Sequence, residues 1–502
     1  MAVENRAPIL STRSSQKIDI FLGSCSPVQQ ELSCELQVTA GEVPKSLTGT
    51  LFRNGPGRFA VGADAYSHPF DGDGMISSFQ ISAGKIHFRN AYVKTTEFLQ
   101  EEAAGRMLFR GFGSNRPGGL LKNVFRTRFK NAANTNIIFH AGKLLALWEG
   151  GWPHEISPPD LKTNGRYQFG GKLKNKAHFF DQWANPELPF SAHPKVDPAT
   201  GNLYNFGLAF GLQNRLMLYE VTPDGHMKEP RFVKLKDLSF VHDFLITSNS
   251  KAILFCTPVH FDLFSMITGL RSPAEGMKGD PSAPVRILVI DLQGPSGEIP
   301  AEAVQVFEAP YSFVFHHVNA FERDGNIHIY SAEMASFPSA ESAQKALRGT
   351  DVEYPMTSLA HYTLTPSKRE VSKEILPIEG FELPRLEASR TGLPFTHFYV
   401  TGVGDKKDFP FMNQIQKVLI EGKIVAVLNY PSGLVGEPVL ASSAAGKFVL
   451  SVCYNHELRK SELLILNAED LSLLAKAQLP HSQPLGFHGG FVPVDFSPRA
   501  KL

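Results

Sequence analysis

Four histidines, His193, His242, His316 and His488, stand 49, 74 and 172 residues apart. Imidazole suits iron, copper, zinc and nickel alike. A local metal motif places its histidines a few residues apart on one helix face, and no such spacing links these four. They can share one ion only if the fold brings distant segments to a common axis. A metal-bound imidazole also needs an acceptor for its far ring N–H, and a buried carboxylate is a common choice. Glu149 in LLALWEGG, Glu382 in GFELP and Glu437 in LVGEPVL sit in apolar surroundings where a solvated charge is out of place. Each is therefore either partnered or a turn residue beside Gly or Pro.

The elements that must position these groups are strands. Short apolar runs recur at Gly142–Leu147, Gly201–Phe206, Ala252–Cys256, Val285–Leu292, Gly325–Tyr330, Gly422–Leu428 and Gly446–Val452. Most open on Gly and a polar residue, the pattern of a chain leaving a hairpin turn. Long helical periodicity is hard to find, and the pattern predicts an all-β chain. After SAHPKVD, FVHDFLIT, FVFHHVNAF and VGEPVLA a second strand begins roughly ten residues on, at Leu203, Ala252, Ile327 and Phe448, and a third follows. A polar residue at the same register of successive strand–turn–strand units is what a β-propeller places on its axis. The chain ends soon after His488, and Gly49–Asn54 is available to close the ring. Residues 1–40 read as a loosely structured lead-in, 41–502 as one propeller domain, and Pro338–Thr350 as a helical insertion.

Fifty basic residues against 49 acidic ones leave no electrostatic footprint for nucleic acid. The 38 Phe beside 12 Tyr and 3 Trp provide many rings without a polar handle, suited to an apolar ligand. Cys25, Cys34, Cys256 and Cys453 form no CxxC pair, so neither a zinc site nor a dense disulfide framework is expected. The N-terminus lacks a signal-peptide apolar core, and no run of 18 apolar residues occurs, so a cytoplasmic chain without a spanning helix is expected. No obligate protein partner is evident. Asp71-Gly72-Asp73-Gly74 lacks the other ligands of a calcium loop, and Gly55-Pro56-Gly57 lacks the Lys-Ser/Thr of a phosphate cradle.

Two segments carry an interfacial pattern, apolar residues rimmed by cations. In 120–131 these are Leu120, Leu121, Val124, Phe125 and Phe129 among Lys122, Arg126, Arg128 and Lys130; in 260–270 they are Phe261, Leu263, Phe264, Met266 and Ile267. Peripheral contact with a membrane surface is expected, with buried amphipathic helices as the alternative.

The motifs LTGTLFRNGPG (47–57), HPFDGDGM (68–75), NAANTNI (131–137), LLALWEGG (144–151), SAHP (191–194), FVHDF (240–244), FVFHHVNAFE (313–322), GEP (436–438), ELLILNAEDL (462–471) and FHGGFVP (487–493) span nearly the whole chain. Together they resemble the carotenoid cleavage oxygenase family, most closely its cyanobacterial apocarotenoid oxygenase branch. The resemblance implies a seven-bladed propeller, with helical and loop insertions capping an axial Fe(2+) held by His193, His242, His316 and His488. It assigns Glu149, Glu382 and Glu437 to the far side of three imidazoles and leaves His193 without a glutamate. His316, not His317, is the implied ligand, because some relatives replace the second histidine of that pair. Thr135 resembles a family residue whose methyl crowds one open iron position.

The implied reaction is oxidative cleavage of one C=C bond of a carotenoid or apocarotenoid by O₂, giving aldehyde or ketone products, with no organic cofactor. Such a substrate is gripped by shape, and Phe70, Phe112, Trp148, Phe240 and Phe315 are the rings best placed for this. A stilbene-cleaving enzyme of the same fold is the alternative, against which Trp148 stands where that branch typically has Lys near the glutamate. A metal-free propeller used as a binding module is the reading from another class, and it predicts loss of at least one histidine.

Overall fold

Two-residue turns start the architecture. Ala83-Gly84, Ala141-Gly142 and Asp324-Gly325 each hold two successive residues at positive φ. This is the turn whose twist matches the flanking strands, and it needs a residue such as Gly that tolerates the left-handed region. These turns join Asp73–Ser82 to Lys85–Tyr92, Asn136–His140 to Lys143–Leu147, and Phe313–Arg323 to Asn326–Met334. The computed structural model describes residues 19–126, 128–177, 179–184, 186–236, 239–248, 251–341, 355–406, 411–444 and 446–496.

Antiparallel hairpins of this kind build seven radial sheets. Blade 2 comprises Asn136–His140, Lys143–Leu147, His154–Ile156 and Thr163–Arg166. Blade 3 runs from Lys195–Val196 through Leu203–Ala209 and Asn214–Val221 to Arg231–Leu235, with Gly297–Glu298 added in parallel. Blades 4, 5 and 6 have innermost strands Phe244–Ile246, Phe313–Arg323 and Phe381–Arg385, each followed outward by three more. Blade 7 stacks Val439–Ser443, Gly446–Asn455, Lys460–Asn467 and Leu473–Gln478.

Blade 1 closes the ring with strands from both ends of the chain. Its innermost strand is His488–Val492, paired with Gly49–Arg58 so that Asn54 faces His488. Asp73–Ser82 and Lys85–Tyr92 follow, and Ser33–Glu35 forms the outer edge. Gln37–Gly41 adds an edge strand to blade 7. The segment expected as a loose lead-in therefore supplies edge strands to the two blades at the seam, a use that its polar composition conceals.

Apolar cores fill the spaces between neighbouring blades. Leu51, Phe79 and Phe88 of blade 1 meet Leu450, Leu463 and Ile465 of blade 7. Ile253, Ile287 and Phe307 of blade 4 meet Ala320, Ile329 and Tyr362 of blade 5. Full burial of each such side chain stabilises by about 1.5–3 kcal/mol, and a closed ring leaves no blade with one face uncovered. Length thus reflects one ring, each wedge buried by the next.

Insertions on the axial side carry the few helices. Thr96–Ala104 follows blade 1, Leu120–Asn123 follows it in the same excursion, and Leu263–Thr268 sits beside a ribbon of Val259–Phe261 and Met277–Gly279. Most of the helical insertion expected at Pro338–Thr350 lies outside the described residues.

Candidate functional site

Each blade supplies one residue of the axial set at or near the start of its innermost strand. Thr135 comes from blade 2, His193 from blade 3, His242 from blade 4 and His316 from blade 5. Glu382, Glu437 and His488 come from blades 6, 7 and 1. Glu149 is the exception, lying just past the second strand of blade 2. The ring converts a sequence register into a spatial one, which is why His193 and His488, 295 positions apart, bring their rings within 4.6 Å of each other.

One ligating nitrogen from each of His193, His242, His316 and His488 lies within 4.8 Å of the other three. The Nε2 atoms of His193 and His242 are 2.9 Å apart, and those of His316 and His488 are 3.2 Å apart. Three rings turn their Nδ1 to a carboxylate: His242 to Glu149 at 2.7 Å, His316 to Glu382 at 2.6 Å and His488 to Glu437 at 2.8 Å. An Nδ1–H donated to a carboxylate leaves the lone pair on Nε2. Between His316 and His488 the facing lone pairs repel at 3.2 Å, and a cation among the four nitrogens removes that repulsion. The four residues therefore fit a non-haem metal ion. Burial, reinforced by the other three imidazoles, holds His193 well below its ordinary pKa. Burial also brings His488 down to about 4 against the pull of Glu437. Both are neutral near pH 7, the form that ligates. His316 goes the other way: burial lowers it, and Glu382 more than offsets the burial.

His317 is excluded by its own contacts. Its Nδ1 lies 2.7 Å from Ser331 Oγ, and its backbone N–H donates to Asp243 Oδ2 at 3.0 Å. The ladder of Phe313–Arg323 shifts register on both sides of this pair, and such bulges commonly re-aim side chains at a site. His193 has no glutamate; Asp243 Oδ1 stands 3.9 Å from its Nδ1 and is tied to Lys195 Nζ at 2.7 Å.

The carboxylates differ in what lies behind them. Glu437 is buried, accepts from Gly489 N–H at 3.1 Å, and pairs with the buried Arg53 and with Arg385. Burial alone would raise its carboxyl, but Arg385, Arg53 and His488 hold it well below the usual carboxylate range. Glu382 accepts the Leu383 N–H at 2.6 Å, and its Oε1 has no hydrogen-bond partner among the described residues. Glu149 is 31% exposed and faces the cavity. Arg53, Arg385, Asp243 and Lys195 were not anticipated from sequence. Each is a charge beside a motif residue: Arg53 between Phe52 and Asn54, Lys195 two positions after His193, and Asp243 next to His242. Buried asparagines lock the rim around them. Asn54 Nδ2 donates to Ala133 O and Asn136 O, while Asn134 Nδ2 donates to Phe70 O and Gly72 O.

A cavity of about 950 Å³ reaches the histidines. All five rings expected to grip substrate, Phe70, Phe112, Trp148, Phe240 and Phe315, line it, as do Thr135, Glu149, Glu382, His242, His316 and His488. Twelve of the 38 phenylalanines line it, together with Trp148 and, among the described residues, no tyrosine and no lysine. Phe240 stacks over His242 at 6.2 Å and meets Phe315 edge-on at 6.4 Å. Asp71, raised to about 6 by burial although Ser114, Gly113 and Phe112 hydrogen-bond it, anchors the loop that carries Phe112. Phe21 and Cys25, within the expected lead-in, also form cavity wall. Thr135 gives its hydroxyl to Asn134 Oδ1 at 3.1 Å.

The two segments with an interfacial pattern lie side by side. Phe125 N–H donates to Ile267 O at 2.9 Å, and the buried Arg110 donates to Arg126 O, Met266 O and Arg271 O. Leu120, Leu121, Phe125, Leu263, Phe264, Ile267 and Leu270 are exposed together, while Leu263, Met266 and Ile267 also line the cavity. Lys130 corrects the expected rim of cations. It is buried, with Nζ 2.6 Å from Asp73 and 2.8 Å from Glu101, because two buried carboxylates there require a cation. Val124 and Phe129 are half-buried and do not join the exposed set.

The RPE65 (retinal pigment epithelial membrane protein) family model matches residues 25–493. The chain is 33% identical to apocarotenoid-15,15'-oxygenase of Synechocystis sp. over 92% of its length and 94% of that protein's. It is 30% identical to carotenoid cleavage oxygenase 1 of Neurospora crassa over 94% of its length and 90% of that protein's. The structure of cobalt-substituted Synechocystis apocarotenoid oxygenase superposes with a TM-score of 0.86 at 31% identity, covering 95% of this chain and 98% of the other. Matched along almost its full length in sequence and in fold, the chain belongs to the RPE65, or carotenoid oxygenase, family.

Proposed function

We propose that the protein is a non-haem Fe(2+) dioxygenase that cleaves one C=C bond of a carotenoid or apocarotenoid to give two carbonyl products. The observation that carries this reading is the opening of a phenylalanine-lined cavity onto a cluster of four convergent imidazoles, of which His242, His316 and His488 line it. His193, His242, His316 and His488 would hold the metal, which when bound supplies the activation of O₂. The reaction balances without a reductant, because both atoms of O₂ end in the two carbonyls.

The remaining work falls to the protein's own side chains. Glu149, Glu382 and Glu437 hold Nδ1 protons, orient three rings and keep their Nε2 lone pairs directed inward. Phe70, Phe112, Phe240, Phe315 and Trp148 orient the polyene by shape, since a hydrocarbon chain offers no hydrogen bonds. Thr135, its hydroxyl engaged by Asn134, narrows the approach with its methyl. A phenolic stilbene fits less well: the residue before Glu149 is the apolar ring of Trp148, and no Tyr or Lys among the described lining residues stands beside that glutamate to hold a phenol hydroxyl.

The test is direct. The purified protein is assayed for iron per chain and incubated with β-carotene, apocarotenals and a hydroxystilbene, with products identified by mass. Iron with apocarotenal or carotene cleavage is expected; absence of both iron and any aldehyde product refutes the reading. Trp148→Ala, which enlarges the cavity wall without touching an imidazole, is expected to change the ranking of these substrates while iron content stays at the wild-type level. An unchanged ranking removes Trp148 from the grip.

The exposed apolar patch at the cavity serves, in this reading, as a peripheral contact with a lipid surface, through which a lipophilic substrate leaves the bilayer. No helix among the described residues is long and apolar enough to cross a membrane. Leu121 and Phe264 are 88% and 71% exposed, so Leu121→Glu/Phe264→Glu costs little folding stability. Co-sedimentation with phosphatidylcholine–phosphatidylglycerol vesicles should fall by about tenfold or more, since each buried aromatic or Leu contributes roughly 1.5–3 kcal/mol. Unaltered co-sedimentation overturns the patch assignment.

A further inference from the structure

Asp243 stands 3.9 Å from His193 Nδ1, too far to hold that ring as the glutamates hold theirs, yet it joins the segments that carry three of the four imidazoles. It is buried and directly follows His242. Its Oδ1 accepts the Phe244 N–H at 2.8 Å and lies 2.7 Å from the Nζ of Lys195, two residues past His193. Its Oδ2 accepts the N–H of His317, next to His316, at 3.0 Å. Lys195 belongs to the innermost strand of blade 3, Phe244 to that of blade 4 and His317 to that of blade 5. The blade 5 ladder shifts register on both sides of His317. A bulge interrupts ladder hydrogen bonding, so its placement depends on contacts made outside the ladder. Asp243 supplies one such contact.

We propose that Asp243 is a positioning residue for the metal site, setting the spacing of His193, His242 and His316 by knotting blades 3, 4 and 5 together beside them. This rests on the metal-site reading above and adds to it a carboxylate that acts on the backbones behind the rings. Asp243 follows His242 and the His317 N–H follows His316, so one short side chain fixes these two backbones against each other. The link to His193 runs through the flexible stem of Lys195 and is softer. Three donors converge here, and a carboxylate, which only accepts, satisfies all of them. An amide of the same shape offers one oxygen, and its NH₂ must face a donor. With Lys195 present the ammonium takes that oxygen, because a charged donor binds it more strongly, and the His317 N–H loses its acceptor. Without Lys195 the oxygen is free to return to His317.

The test titrates the full chain, stripped of metal by chelation, with Co²⁺, whose d–d absorption bands report ligand geometry. Wild type, Asp243→Asn, Lys195→Met and Asp243→Asn/Lys195→Met are compared, with Tm measured on each. Affinity should fall in the order wild type, Lys195→Met, double variant, Asp243→Asn. Asp243→Asn should lose about 10- to 100-fold, the range for groups behind a metal ligand, with its bands displaced. The double variant should regain part of that affinity and move the bands back toward the wild-type positions. Glu462→Gln is the stability control: this buried carboxylate, in the third strand of blade 7, accepts from Tyr430 at 2.5 Å and Asn455 at 3.1 Å. It should lower Tm and leave bands and affinity unchanged. Asp243→Asn with a lower Tm but wild-type bands and affinity is mere fold support and overturns the proposal, as does a double variant that binds no better than Asp243→Asn. If Asp243→Asn does not fold, the double variant, which strands no ammonium, is compared with Lys195→Met. Weaker binding by the double variant supports the knot, and equal affinities overturn it. A wild type that binds neither Co²⁺ nor Fe²⁺ overturns the metal-site reading and the positioning role with it.

Discussion

His242→Ala is expected to yield a folded propeller with no bound metal and no cleavage activity. His242 contributes one of four convergent nitrogens, and its Nδ1 is the partner of Glu149. Three imidazoles remain after the change, but the vacated position borders the open cavity and admits water where a neutral nitrogen ligand stood. The interblade cores do not depend on this ring: blade 4 is held by Phe244, Ile246 and Leu254 against blade 3. The check is metal per chain, circular dichroism and product formation on one preparation. Retained iron with retained cleavage refutes the ligand assignment. Glu149→Gln provides a graded comparison, because the amide keeps a hydrogen-bond acceptor while losing charge. A loss of about 10- to 100-fold in metal affinity is expected there, as for other groups behind a metal ligand.

Glu437→Ala is expected to be the most destabilising change at the site. Its carboxylate satisfies His488, Gly489 N–H and the buried Arg53, and Arg385 reaches it from blade 6. Removing it strands a buried guanidinium, a change that costs about 3–5 kcal/mol. Set against a total stability on the order of 5–15 kcal/mol, this is a large fraction. The melting temperature should drop markedly and metal should be lost with it, as His488 loses the group that orients it. Glu149, 31% exposed and not facing an arginine, should affect metal without that thermal penalty. Equal melting temperatures for wild type and Glu437→Ala would show that Arg53 is solvated or otherwise satisfied, and would refute the buried-network account. The two positions thus separate two jobs that carboxylates behind imidazoles perform, orientation and charge balance.

Much of the site is legible in the chain because its logic repeats. His193, His242, His316 and Glu437 recur at one register before a second strand, and that register is what a propeller places on its axis. Glu149, Glu382 and Glu437 stand out as acids in apolar runs, and each meets a histidine. The phenylalanine surplus serves at least two buried uses, with Phe125 and Phe264 exposed besides: Phe79, Phe88, Phe244 and Phe307 fill blade cores, while twelve others line the cavity. The surplus alone does not sort the two, since both environments are apolar. Lys130 shows the opposite case. Among Arg126, Arg128 and Phe129 it reads as a solvent-facing cation, yet it is buried against Asp73 and Glu101.

What the sequence by itself determined is the local chemistry: strand after strand from Gly-marked hairpins, imidazoles in register, and rings without polar atoms. These depend on turn geometry and side-chain type, which neighbours a few residues apart specify. Only the tertiary structure decided the pairings. Arg53 meets Glu437 across 384 positions, Ser33–Glu35 and Gln37–Gly41 edge blades 1 and 7, and Arg166 gathers Glu97 and Glu187 at the cavity wall. The reason is physical: a buried charge must be neutralised by whatever opposite charge ring closure brings near it. That partner is fixed by the packing of all seven blades and leaves no mark in the residues beside it.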